Sequence, residues 1–185
     1  FHVTDVADGG GGNTNPTISQ LDASRQVIPN GAAVLLDANV DIADTELDGA
    51  DDYANATLTV QRQGGGQSAD VFGFQTALLA LAGITLQEDP AELRHNGDLI
   101  ATSSDGNPFG SNGVLGIRFE AGATSAFVDA IIQAITFRND SSVSADFTIE
   151  YVFNDGASGS ATDSIVISAT DGGSNADLIT SHGGR

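Results

Sequence analysis

The chain has 185 residues, 25 of them Asp or Glu against six Arg and no Lys, for a formal net charge of -19. Charge of that sign repels phosphate backbones and anionic headgroups, which excludes nucleic acid as a partner, and the absence of Cys excludes disulfides, thiolate metal sites and cysteine nucleophiles. The length suits one domain, and the 40% of hydrophobic residues are spread among the acids, so the chain is expected to bury a core instead of remaining disordered. The apolar run at residues 77–84 falls well short of the roughly 18 residues that a membrane span needs, so no membrane insertion is expected. Beginning at Phe1 with no signal peptide, the sequence reads as a processed product or an excised piece of a longer chain.

In chain order, residues 1–15 combine a short alternating stretch, Phe1, Val3 and Val6, with four consecutive glycines from Gly9 to Gly12, the composition of an extension or linker. The folded body is expected over residues 16–170. Residues 57–61 alternate as a strand, and Asn96-Gly97 between 93–95 and 99–101 has the form of a tight hairpin, because both residues tolerate positive φ. Residues 77–82 fit either a helical turn or a buried strand. Strand 114–119 is followed over 124–135 by Phe127, Ile131, Ile132 and Ile135 at helical spacing, with Asp129 and Gln133 on the other face and Thr124 or Ser125 as cap. A strand at 136–138 and strands at 147–153 and 164–168 joined through Asp155-Gly156 complete the pattern. Short strands recurring between turns predict an all-β antiparallel β-sandwich with one short crossover helix. Residues 171–185 are a Gly-rich tail.

The chemistry concentrates in one segment. Asp37, Asp41, Asp44, Glu46, Asp48, Asp51 and Asp52 fall within 16 residues with no base among them. Two carboxylates about 4 Å apart repel by around 4 kcal/mol at an effective dielectric near 20. If such groups converge, Ca2+ is the natural compensation, since it takes six to eight oxygen ligands and tolerates irregular loops. Residues 44–49 match the opening of an EF-hand loop, but Asn55 stands where the bidentate Glu belongs, and an EF-hand is rejected. The expectation is a calcium loop between strands. The candidate ligands are Asp44, Glu46, Asp48, Asp51 and Asp52, with Asp155 from the Asn154-Asp155-Gly156 turn and Asp177 from the tail. His2, His95 and His182 are too scattered for a local zinc site. No nucleophile with an orienting base is found, so no enzymatic activity is expected.

Three stretches in order resemble the cadherin-like, immunoglobulin-type tandem repeats of large secreted bacterial (RTX-type) surface proteins and adhesins: the acidic turn 40–48 leading into strand 56–60; strand 113–119 with the helix-to-strand run 130–139; and strand 147–153 with its Asn-Asp-Gly turn and closing Ile-Val-Ile strand. Residues 172–180 are similar to a single nine-residue calcium repeat of RTX proteins. The resemblance implies an immunoglobulin/cadherin-like sandwich in a secreted, cell-surface-associated protein. Such a domain would serve as a calcium-stiffened structural or adhesion module whose partners are neighbouring modules, identical subunits, or cell-surface or glycan ligands. Two other functions fit the residues. One is a subunit of an extracellular filament or surface layer, assembled by strand addition of residues 1–6; the other is a carbohydrate-binding module, with Tyr53, Phe72 and Phe109 as its aromatic candidates.

Overall fold

The computed structural model describes residues 12–142 and 145–169. The elements run β1 (Thr17–Ser19), β2 (Ser24–Val27), β3 (Val34–Leu35), β4 (Asp41–Ala43), α1 (Thr45–Ala50), β5 (Thr57–Arg62), β6 (Asp70–Phe74), α2 (Thr76–Leu81), β7 (Ile84–Glu88), β8 (Ala91–His95), β9 (Asp98–Ser103), a single 3-10 turn (Ser111–Gly113), β10 (Val114–Phe119), α3 (Ser125–Gln133), β11 (Ile135–Asn139), β12 (Phe147–Asn154) and β13 (Ser160–Ala169). With 44% strand against 15% helix, the chain is a mostly β protein.

One eight-stranded sheet, in the order β2-β13-β12-β5-β10-β9-β8-β7, dominates the architecture. Period-two alternation fixes its buried face, because every second side chain points the same way. Leu58 stands opposite Ile117 on one side and Phe153 on the other, and Val60 stands between Leu115 and Tyr151. All six are fully buried. Three-stranded β3-β11-β6 and the pair β1-β4 form the smaller sheets. Phe72, Ile135 and Phe137 from the three-stranded sheet join Val128, Ile131 and Ile132 of α3 in the same buried cluster as the large sheet's inner face. Phe137 meets Phe147 across the two sheets with ring centroids 5.9 Å apart.

A buried ion pair ties the sheets at one end. Asp70, 1% exposed at the start of β6, accepts from Arg62 Nε at 2.8 Å, Arg62 Nη2 at 2.7 Å and Asn139 Nδ2 at 2.7 Å. Three donors on one carboxylate leave the charge satisfied, which is what makes its burial tolerable. The Arg62 guanidinium also lies 3.4 Å over the Phe147 ring.

Several expected elements are in place: the 93–101 hairpin, with Asn96 at φ 52° and Gly97 at φ 93°, the β12–β13 pair, and α3 with Thr124 as its cap. The differences have physical causes. Among the described residues there are three α-helices, not one. Residues 77–81 fall in α2 and Ala82 is its C-cap; Leu79 is buried while Leu81 is 86% exposed, a distribution that a fully buried strand would not give. The acidic loop contains α1, which Asp44 caps. The large sheet is also not wholly antiparallel, since β2 runs parallel to β13. The readings of residues 1–11 as a linker and of 171–185 as a tail with an RTX-like repeat lie outside the described residues.

Candidate cation site

The acidic segment is built around the start of α1. Asp44 takes an extended conformation, and its Oδ1 accepts from the backbone N–H groups of Glu46 at 3.0 Å and Leu47 at 2.9 Å, two donors that a helix start leaves free. Asp48 reaches back, its Oδ2 accepting from the Asp44 N–H at 3.1 Å, so the two acids cap the helix reciprocally. Tyr53, fully buried, donates its hydroxyl to Asp48 Oδ1 at 2.7 Å, with the Ile42 carbonyl 3.3 Å away. Burial, and then the Asp48 carboxylate, hold the Tyr53 phenol far above its ordinary range, so it remains a donor. Asp44 itself is 2% exposed, and its second oxygen, Oδ2, is buried with no hydrogen-bond partner.

A further carboxylate comes from α3. Asp129 Oδ1 accepts from the Ile42 N–H at 3.4 Å, which places it beside β4. Burial pushes its pKa up to about 6, and the nearby carboxylates of Asp41 and Asp48 push the same way against the bond from Ile42. Asp41 and Asp48 therefore neighbour Asp129, and Asp44 and Asp48 flank the start of α1, the acids coming from β4, α1 and α3. Among the described residues, no three of His, Cys, Asp or Glu stand grouped as a ready ligand set.

The other predicted ligands are engaged with backbone donors. Glu46 Oε2 accepts from Thr14 Oγ1 at 2.7 Å, the main reason its pKa lies below the ordinary range, and from the Thr14 N–H at 3.3 Å. Asp51 closes α1 in a left-handed conformation and accepts from the Ser125 N–H at 3.3 Å. Asp52 Oδ1 accepts from the N–H groups of Ala54 and Gly122, each at 3.1 Å. Asp155 organises the β12–β13 loop, accepting from the N–H groups of Ala157 at 2.7 Å and Gly159 at 2.9 Å, and from Asn13 Nδ2 at 2.6 Å. Burial alone would raise the Asp155 pKa, but these bonds outweigh it and hold the group below its usual range. Asp177 lies outside the described residues.

Asp129 is the group that sequence reasoning placed only on the outer face of a helix. Its signal was present, since an acid opposite an apolar stripe must face either water or another element, but nothing local indicates that β4 lies there. The aromatic candidates do not form an exposed platform: Tyr53 and Phe72 are 0% and 4% exposed, and half-buried Phe109 packs edge-on against Phe74 with centroids 5.3 Å apart. Among the described residues no helix is long and apolar enough to cross a membrane. No family model, no curated protein and no solved structure matches the chain.

Proposed function

We propose that the chain is a non-enzymatic structural or adhesion module of a secreted, cell-surface-associated protein, with an immunoglobulin/cadherin-like β-sandwich fold stiffened by Ca2+ at the junction of β4, α1 and α3. The single observation that carries this reading is the buried Asp44 Oδ2, which has no donor to face, at a helix start that Asp48 also caps and with Asp129 held against β4. A buried carboxylate oxygen without a partner costs about 1–3 kcal/mol or more, and a hard divalent cation satisfies such an oxygen while cancelling the repulsion of its neighbours. Asp44 and Asp48 would hold the ion, which would draw Asp129 toward them, since the three do not stand grouped without it. Bound there, it would join the edge pair β1-β4 and α1 to α3, hence to the core, and stiffen the end of the domain where Asn13 leads into the body.

Isothermal titration of the full chain with CaCl2 tests this. Saturable binding that Asp44→Asn weakens at least about tenfold supports the site. Absence of binding heat, together with an unchanged near-ultraviolet spectrum around Tyr53, contradicts it.

A further inference from the structure

The fold leaves one sheet end open beside a groove. Among the described residues, strand β7 ends the large sheet and pairs with β8 alone, and its exposed residues Thr85, Gln87 and Glu88 include neither Lys nor Pro within the strand, the usual means of blunting an edge. Along the side chains of its inner face, Ile84 is buried, Leu86 half-buried and Glu88 exposed, so the inner face runs out of the core. There it borders a groove of about 360 Å³ whose other walls are Phe109 and the β6–β11 face at Gly73, Thr136 and Arg138. Gly73 gives the groove an open floor, since a Cβ there would meet only Thr136 Oγ1, at 3.4 Å. The neighbouring edge of β6 is covered: Gly110 has φ 77°, and a Cβ on it would collide with the Phe72 carbonyl. The opposite end strand, β2, is short and carries Arg25.

We propose that β7 and this groove accept, as an added β-strand, residues 1–6 of a second copy of the chain, giving a head-to-tail assembly. Phe1 and Val3 would lie on one face of such a strand, suited to Leu86 and Phe109, and the glycines from Gly9 to Gly12 provide the tether. The donor must come from another copy because of where the chain enters the body. Asn13 is hydrogen-bonded to Asp155, beside Asn55 at the start of β5. The groove adjoins Asp70 and Val71, held to Arg62 at the other end of β5. The two points are separated by the length of that strand, on the order of 20 Å, and β7 lies four strands farther across the sheet, on the order of 19 Å more, whereas the seven Cα steps from Val6 to Asn13 reach about 25 Å only when fully extended and in a straight line through the body. A head-to-tail contact of this kind is heterologous and does not close on itself.

The test is sedimentation velocity on the full chain in 0.5 M NaCl (roughly a 4 Å screening length, which suppresses repulsion between acidic copies), over a concentration series. The expected result is concentration-dependent growth beyond the monomer that excess synthetic peptide of residues 1–8 reverses, and that Leu86→Asp and Gly73→Leu each weaken at least about tenfold. Peptide N-methylated at alternate residues should not compete, because it cannot pair with the edge. Circular dichroism checks that each variant is folded, and Gly73→Leu, on an open floor, serves if Leu86→Asp is not. A monomer at every concentration, or an oligomer indifferent to the peptide and to the folded variants, overturns the proposal.

Discussion

Replacing Asp70 with Ala removes the acceptor of three charge-assisted or amide hydrogen bonds at once. Asp70 has no exposed side-chain surface, whereas the Arg62 side chain retains 23% exposure. Breaking a buried pair by deleting one partner costs about 3–5 kcal/mol. Since the orphaned guanidinium can still turn partly to water, the lower end applies, about 3 kcal/mol. For a chain of this length each kcal/mol shifts the melting temperature by roughly 2–4 °C, so Asp70→Ala should melt about 6–12 °C below the parent. The control is Asp140→Ala, which breaks the exposed Arg138–Asp140 pair, whose side chains are 44% and 45% exposed, and should change stability by less than about 1 kcal/mol. Urea titration with a shared m-value and thermal melts measure both. If Asp70→Ala proves as mild as Asp140→Ala, the ion pair does not tie the sheets as argued.

Asp44→Asn keeps a capable helix cap but replaces an unpartnered oxygen with a donor able to face the surrounding carboxylates. In EDTA it should therefore melt at or above the parent, and in calcium below it; the same order in both buffers would count against the site. Asp129, raised to about 6 from its ordinary 3.8, binds a proton in the folded state over a range where the unfolded chain has lost it. Calcium-free stability should thus increase as pH falls from about 6 to 4, by about 1 kcal/mol after allowance for solvent screening. It should then decline at lower pH as Glu46, Asp105 and Asp155, all held below their usual range, are protonated. Thermal melts across pH 3–8 would read this, and a monotonic loss of stability on acidification from pH 7 would refute the role given to Asp129. Gly113→Ala puts a Cβ into the Gln67 backbone at φ 74° and should destabilise by at least about 2 kcal/mol in urea titration.

Much of the large sheet was legible because its strands alternate and its turns carry Asn or Asp with Gly, as at Asn96-Gly97 and Asp155-Gly156. The α3 helix was legible from the spacing of Phe127, Ile131 and Ile132. What escaped is what depends on distant contacts. Strand β6 reads Asp-Val-Phe-Gly-Phe, with an acid and a glycine in five residues, and becomes a strand because Asp70 meets Arg62 and Asn139. Helix α1 was hidden by the density of acids that suggested a ligand loop. Its cap signature was nevertheless there, an Asp followed by two acids in the first turn, where the helix dipole favours them. The candidate site was half visible for the same reason: Asp44 and Asp48 could be named from one segment, but Asp129 arrives from a helix more than 80 residues away.

The central claim, that a divalent cation stiffens this acidic domain, is tested most directly by the melting temperature of the full chain in EDTA and after addition of excess calcium. A site filled at about 100 times its dissociation constant adds about 2.7 kcal/mol, which for this length corresponds to a rise of roughly 5–10 °C. The account predicts that rise in calcium and its reversal by chelation. Identical melts in the two buffers would contradict it.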